Sequence, residues 1–551
     1  MTQTVAIPPH DHRQGRIARP AARCPSRREG ERRLRRRPTW TSVASMFSAG
    51  LRLLFVASEC QPLAKAGGLG DAVAALVKTL ARRGHDVRIL LPRYASIDPA
   101  ALGARSQGTI RVPMGGETLD GELWCGPLEG GGTVYLLERD DLFAGGGVYG
   151  AGDSYARDAW RFSFLSRAAL QVALDFDFVP DVLHAHDWPT ALAPAYLRML
   201  RDHEPRLART GSVLTVHNVE YQGRFAMDAW RWIGLPDEQR TAERFEDLGG
   251  INFLKGGVAA ADAITAVSPT YAREICTEAG GHGLRPYFTR RAASLTGILN
   301  GVDEELWDPR TDAFLVRRFD ARDLRGKLAC KRALQAAFAL EPRDDVPVLG
   351  IVSRLAPQKG LDLVYEPLAA LLDEGRAQLV VQGSGEPALE GAFRTMAERF
   401  AGRAGVHVGY SEETAHRIHA GADFFLMPSR HEPCGLGQMY AMRYGTLPIV
   451  RATGGLADTV LPYDESTGEG TGFVFLAPTV DACAAMLRYA IDTWYRRPAH
   501  VARLRQQAMA RRFAWEDSTA RLEKVYASVM GAREHDAAGA SHAGGTKGSF
   551  G

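Results

Sequence analysis

Twice along this chain, short apolar runs alternate with stretches of helical spacing, and Gly, Pro and polar residues collect between them. No other feature constrains the fold as much. Short runs that are apolar throughout are strands buried on both faces, and such strands belong to parallel sheets covered by helices. The first series predicts strands over 51–57, 85–92, 134–138, 181–186, 212–217 and 263–267, with helices near 72–83, 155–174, from Pro189 and over 253–261. The second predicts a helix over 326–338 and strands over 346–354, 378–382, 406–410, 423–428 and 447–451. Two such series imply an α/β protein of two Rossmann-like, doubly wound parallel-sheet domains facing across a cleft.

The expected organisation follows. Residues 1–48 form a disordered Arg-rich extension, 49–305 a first domain, 306–510 a second, 511–530 a C-terminal helix, and 531–551 a disordered tail rich in Gly, Ala, Ser and His. Met46 is an alternative start within that extension.

The net charge of +3 is set by the N-terminus. Residues 1–50 carry 11 Arg against Asp11, Glu29 and Glu31, an excess of +8 that leaves the rest at −5. A nucleic-acid partner is not expected of a mildly acidic body. No uninterrupted apolar run is long enough to span a membrane, so no membrane partner is expected either. The seven cysteines are odd in number and scattered, with no Cys-x-x-Cys. Free thiols, a reducing cytoplasmic setting and no metal centre are the expectation.

Glu432 stands in Ser429-Arg-His-Glu-Pro-Cys-Gly-Leu436, between a predicted strand and a predicted helix. The carboxyl ends of strands in open α/β sheets are where ligands bind. Gly435 permits a close backbone approach, and the helix start at Gly437 offers free N–H groups to an anion. Lys65-Ala-Gly-Gly-Leu-Gly-Asp71 also follows a strand and opens a helix, with Gly68 and Asp71 in the turn. It matches neither a dinucleotide fingerprint nor a Walker loop. Ser353-Arg-Leu-Ala-Pro-Gln-Lys-Gly360 brings Arg354 and Lys359 to the start of the second domain. One basic loop from each domain, aimed at one cleft, suits a diphosphate leaving group without a metal. His184, His186 and His217 end strands, and His217 with Asn218 is the pair expected to meet a ligand. Asp175-Phe-Asp177 is read as a solvated turn and not as a metal site. Cys434 lies inside the Glu432 motif, which predicts inhibition by thiol alkylation.

In order along the chain, Lys65–Leu69, His184-Ala-His-Asp-Trp188, Thr215-Val-His-Asn218, Ile264–Glu274, Leu299-Asn-Gly-Val-Asp303, Ser353–Gly360, Glu432–Leu436 and Thr453-Gly-Gly-Leu-Ala-Asp458 resemble the bacterial glycogen synthase and plant starch synthase family. These are retaining glycosyltransferases of the GT-B fold, and the resemblance covers roughly residues 51–530. It implies transfer of glucose from ADP-glucose to the non-reducing end of an α-1,4-glucan, with no cofactor or metal. It also implies that the C-terminal helix crosses back onto the first, acceptor-side domain. By motif, Lys65, Gly68 and Asp71 lie at the donor diphosphate, and Arg354 and Lys359 hold the phosphates. Tyr410 faces the adenine, and His217, Asn218, Asn300 and Asp187 form the glucose side. Glu432 contacts the donor glucose, with Gly435, Leu436 and Gly437 beside it. Two positions depart from the family pattern, which has Thr where this chain has Ala66 and Gly437. A glucan-binding homologue without catalysis and a transferase using UDP-glucose are the alternatives. The sequence sets no oligomeric state.

Overall fold

The computed structural model describes residues 50–145, 147–150 and 152–544, so the expected 1–48 extension lies outside the described residues. The first series builds β1 (Arg52–Val56), β2 (Asp86–Pro92), β3 (Arg105–Met114), β4 (Glu117–Pro127), β5 (Thr133–Glu138), β6 (Val182–His186) and β7 (Gly211–Val216). It continues with β8 (Arg224–Ala226), β9 (Glu246–Asp247), β10 (Gly250–Asn252), β11 (Ala263–Ala266) and β12 (Leu295–Gly297). Among the described residues, nine of these form one sheet in the order β12-β11-β7-β6-β1-β2-β5-β4-β3, and β8, β10 and β9 form a small separate one. The large sheet is not wholly parallel, as its predicted class would have it. β4 runs antiparallel to both β3 and β5. The second sheet, β15-β14-β13-β16-β17-β18, is parallel throughout, from β13 (Val348–Val352), β14 (Gln378–Gly383), β15 (Ala404–Val408), β16 (Phe424–Met427), β17 (Leu447–Arg451) and β18 (Phe473–Phe475).

Burial explains the central strands. Leu53, Leu54, Phe55 and Val56 in β1 have no exposed surface, and all six residues of β14 are buried. Helices cover both faces through stripes at helical spacing. In the helix Gly68–Arg82, Leu69, Ala72, Val73, Leu76, Val77 and Leu80 face the sheet while Lys78 and Arg82 face outward.

The last helix, Trp515–Gly544, returns to the first sheet. Arg83 donates to both carboxylate oxygens of Glu523 at 2.6 and 2.7 Å, and His85 lies 3.1 Å from the same group. Tyr526 meets His184 at 2.8 Å, and Ser518 donates to the carbonyl of Leu299. Beside it the two crossings between the sheets run together, with Val302 N–H donating to Phe513 O at 2.7 Å. The expected 531–551 tail is corrected over 531–544, where the helix continues to Gly544, and its last residues, 545–551, lie outside the described residues. Ala532, Ala537, Ala538, Ala540 and Ala543 are strong helix formers, and they outweigh the interspersed Gly and Ser. No described helix is long and apolar enough to cross a membrane.

Sheet order fixes where a ligand can sit. In the second sheet β13 lies between β14 and β16, and in the first β1 lies between β2 and β6. At such a reversal the loops leaving neighbouring strands part and open a crevice. Lys65 follows β1, Asp187 follows β6, Arg354 follows β13 and Glu432 follows β16.

Candidate active site

A cavity of about 1030 Å³ opens between those four loops. Gly68, Asp187, His217, Asn218, Asn300, Arg354, Lys359, Glu432, Gly435 and Leu436 line it, so ten of the expected site residues come together. Lys65, Asp71, Tyr410 and Gly437 are not in its wall. Lys65 Nζ is paired with Asp71 at 2.7 Å and bonded to Gln61 at 3.3 Å. Burial raises the Asp71 carboxyl, with Lys65 pulling the other way. Tyr410 is 63% exposed, and Lys65 and Asp71 are among its charged neighbours. These three residues make a separate group at the rim.

Glu432 is buried by the turn that bears it. Lys359 Nζ donates to both of its oxygens at 2.9 and 2.7 Å, and Ser429 Oγ adds a bond at 2.8 Å. Gly435 sits at φ +69°, and a Cβ there would meet Gln438 Oε1 at 2.6 Å and Glu432 Cγ at 3.1 Å. Its main task is therefore to let the turn close around Glu432, where the sequence suggested room for a ligand. The next motif seals the turn from behind. A Cβ on Gly454 would lie 2.0 Å from Glu432 O, and one on Gly455 equally close to Cys434 O. Arg354 is exposed and donates to the neutral side-chain amide of Gln358 at 3.2 Å.

The opposite wall is built from backbone. Asp187 has φ +55°, unusual for a residue with a side chain, and its Oδ1 accepts from the N–H groups of His217 and Asn218 at 2.6 and 3.3 Å. Burial pushes its carboxyl up to about 7 against those two bonds. His217 Nε2 lies 3.0 Å from His186 Nδ1. Burial lowers both rings, His217 to about 3. Tyr271 fixes the next residue, accepting from Val219 N–H at 2.7 Å.

Glu59, on the turn after β1, escaped the sequence reading. Its Oε2 accepts from Ala66 and Gly67 N–H at 2.6 and 2.8 Å, and Tyr149 donates to Oε1 at 2.5 Å. The Gly-rich loop thus spends two of its N–H groups on a buried carboxylate and not on a ligand. A Cβ on Gly67 or Gly68 would touch nothing in the chain, because both face open cavity. A carboxylate directly ahead of the Gly-rich loop was the available signal. Tyr149, Tyr155, Trp188, Tyr221, Arg224 and His282 also line this side and were not singled out.

Direct bonds join the two domains beside the cavity. Ser268 donates to Pro433 O at 2.6 Å, and Thr270 gives Asp458 two bonds of 2.7 Å. Glu274 accepts from Thr453 Oγ1 and Gly454 N–H at 3.1 and 3.0 Å. Cys434 does not fit the expected reactive thiol. It is 6% exposed, and burial pushes it up to about 12, which leaves almost no thiolate near neutral pH. Among the described residues, no group of three His, Cys, Asp or Glu side chains could hold a metal ion. Asp175 accepts from Gln171 as the expected solvated turn.

Residues 52–290 match the family described as starch synthase catalytic domain, and 335–510 match glycosyl transferases group 1. Glycogen synthase 1 of Geobacter sulfurreducens is 44% identical over 487 residues, spanning 87% of this chain and 96% of its own. Glycogen synthase of Anaeromyxobacter dehalogenans is 45% identical over 485 residues, spanning 88% and 100%. The catalytic domain of starch synthase IV from Arabidopsis thaliana, solved with ADP and acarbose bound, superposes with a TM-score of 0.80 at 33% identity, covering 88% of this chain and all of that one. With two α/β sheets facing one cavity and relatives of this similarity over most of its length, the chain belongs to the glycogen synthase and starch synthase family of GT-B glycosyltransferases.

Proposed function

We propose that the chain transfers glucose from ADP-glucose to the non-reducing end of an α-1,4-glucan, with retention of configuration and without a resident metal. The observation that carries this reading is the Lys359–Glu432 pair with Arg354 on one wall of a cavity whose other wall is Asp187, His217 and Asn218. Departure of ADP builds negative charge on phosphate and positive character on the sugar ring. Arg354, Lys359 and Lys65 supply cations for the first, and the Glu432 carboxylate stabilises the second. A well-placed group of this kind lowers such a barrier by about 3 kcal/mol. Attack by the acceptor hydroxyl on the face that ADP leaves would retain configuration without a covalent intermediate. Trapping a glycosyl adduct on any carboxylate would exclude that route. The solved starch synthase with ADP and acarbose supports a nucleotide and a sugar chain in the corresponding cleft. A cytoplasmic setting, with neither nucleic acid nor membrane as partner, completes the proposal.

The test is transfer of radiolabelled glucose to glycogen from ADP-glucose and UDP-glucose in parallel, with Glu432→Ala as control. Incorporation from ADP-glucose that the variant loses supports the reading. Incorporation only from UDP-glucose overturns the donor. None from either, with ADP still bound, makes the chain a glucan-binding homologue.

A further inference from the structure

His186 lines no part of the cavity, yet its surroundings bear on the histidine that does. Its backbone is pinned by Thr190, which accepts from His186 N–H at 2.7 Å and donates to His186 O at 2.9 Å. Its ring packs on Phe55, with centroids 5.3 Å apart and planes at 23°, and on His184, 4.3 Å apart, and those two rings also touch each other at 4.8 Å. Nδ1 meets His217 Nε2 at 3.0 Å, whereas Nε2 is buried with no hydrogen-bond partner. Both rings are held neutral by burial, so one nitrogen of the 3.0 Å contact carries a proton and the other a lone pair.

Only two arrangements exist. If His217 donated from Nε2, His186 would carry its own proton on Nε2, leaving an N–H buried without an acceptor. If His186 donates from Nδ1, its orphaned nitrogen is only a lone pair. Orphaned buried N–H groups are the rarer and costlier defect. We therefore infer that His186 is a positioning residue, which donates from Nδ1 to His217 Nε2 and so places the His217 proton on Nδ1, the nitrogen left to a ligand in the cavity. His217 then enters the site as a hydrogen-bond donor, suited to an oxygen lone pair on the donor sugar. His184 belongs to the same ring cluster but has both nitrogens engaged, by Tyr526 and Thr215. The consequence for catalysis rests on the transfer reaction proposed above; the proton position does not.

Neutron diffraction from crystals of the full chain reads that position directly. Deuterium on His217 Nδ1 supports the inference, and deuterium on His217 Nε2 overturns it. Kinetics give the second readout. His186→Phe keeps a ring against Phe55 and His184 but removes the donor, and should lower kcat roughly 10- to 100-fold, as loss of an orienting partner does, with KM for the nucleotide sugar little changed. His186→Asn, whose amide N–H can stand where Nδ1–H stood, should recover most of that loss. Parental kcat in His186→Phe overturns the inference, as does equal damage in both variants at unchanged thermal midpoint. If His186→Phe does not fold, the Asn variant and the proton position decide. An inactive parent chain would refute the transferase reading itself and leave the diffraction result standing.

Discussion

Gly437 stands where the family pattern has Thr, and putting Thr back should harm this chain. Gly437 opens the helix Gly437–Arg443 that follows the Glu432 turn. A Cβ there would lie 2.9 Å from Phe425 Cε1 and 3.2 Å from Cζ, well inside the 3.5–4.0 Å of a good carbon contact. The Phe425 ring has no exposed surface and packs at 4.4 Å on His419, so it cannot swing into solvent. Overpacking of this kind costs about 1–3 kcal/mol, while the gain of Thr over Gly in a helix offsets only a few tenths. A net loss of about 2 kcal/mol is expected for Gly437→Thr, a fall of about 4–8 °C in the thermal midpoint of a domain this size. Phe425→Leu alone should cost about 1 kcal/mol, or about 2–4 °C. In the double variant the Thr side chain occupies the space the ring gave up. Its midpoint should fall by only about 2–4 °C, against about 6–12 °C if the changes were independent. Differential scanning calorimetry reads the three midpoints, and titration with ADP reads whether the restored hydroxyl tightens binding in the double variant. A Gly437→Thr protein with the parental midpoint, or a double variant that shows the simple sum, would refute the steric reasoning.

Three further outcomes are expected. Glu432→Gln keeps the shape of the turn but leaves Lys359 without its anion, and should lower kcat by about 10²–10³ with ADP affinity unchanged or tighter. Asp187 is raised in the folded chain to about 7 from an ordinary carboxyl value near 4. The native state therefore binds the proton more tightly than the unfolded chain, and the stability this gives is present below pH 4 and lost as pH rises through 7. Asp187→Asn keeps an acceptor for the His217 and Asn218 N–H groups, and should flatten that slope between pH 4 and 7 in denaturation measured across pH. Iodoacetamide at neutral pH should leave Cys434 unmodified and activity intact while labelling the half-buried Cys125 and Cys276, as peptide mass spectrometry would show.

The parallel strands were legible because burial on both faces writes an apolar run, as in Leu53–Val56 or Leu379–Val381. The β3–β4 hairpin writes no apolar run, and β3 instead carries a period of two, with Ile110, Val112 and Met114 buried between exposed neighbours. An edge strand with one wet face writes alternation and not a run. The Glu432 turn and the two basic loops were legible from their places after strands. Their partners were not, because Lys359–Glu432 spans 73 positions and is set by the parallel pairing of β13 with β16. The Ile264–Glu274 motif stood out through its resemblance to a family and through no local chemistry. The structure gives the physical reason: Ser268, Thr270 and Glu274 bind the opposite domain at Pro433, Asp458 and Thr453.

The cations of the site divide by how they are held. Lys359 has a side chain 17% exposed and bonds both oxygens of Glu432, which is less exposed still. Separating such a pair strands a charge away from water, at a cost of several kcal/mol. Lys65 is 37% exposed and bound to Asp71 across the rim, where water replaces a lost partner cheaply. Arg354 is exposed beside a neutral amide. On the proposed reaction, a diphosphate entering the cleft therefore recruits Arg354 and Lys65 by rearrangement and meets Lys359 where it already stands. Lys359 and Glu432 then act as one rigid unit, presenting its positive end to the departing phosphate and its negative end to the sugar. Charge stabilisation of this kind lowers a barrier most when no side chain has to move as the charges develop. The close packing of Gly435, Gly454 and Gly455 around the turn holds it in that state before any ligand arrives.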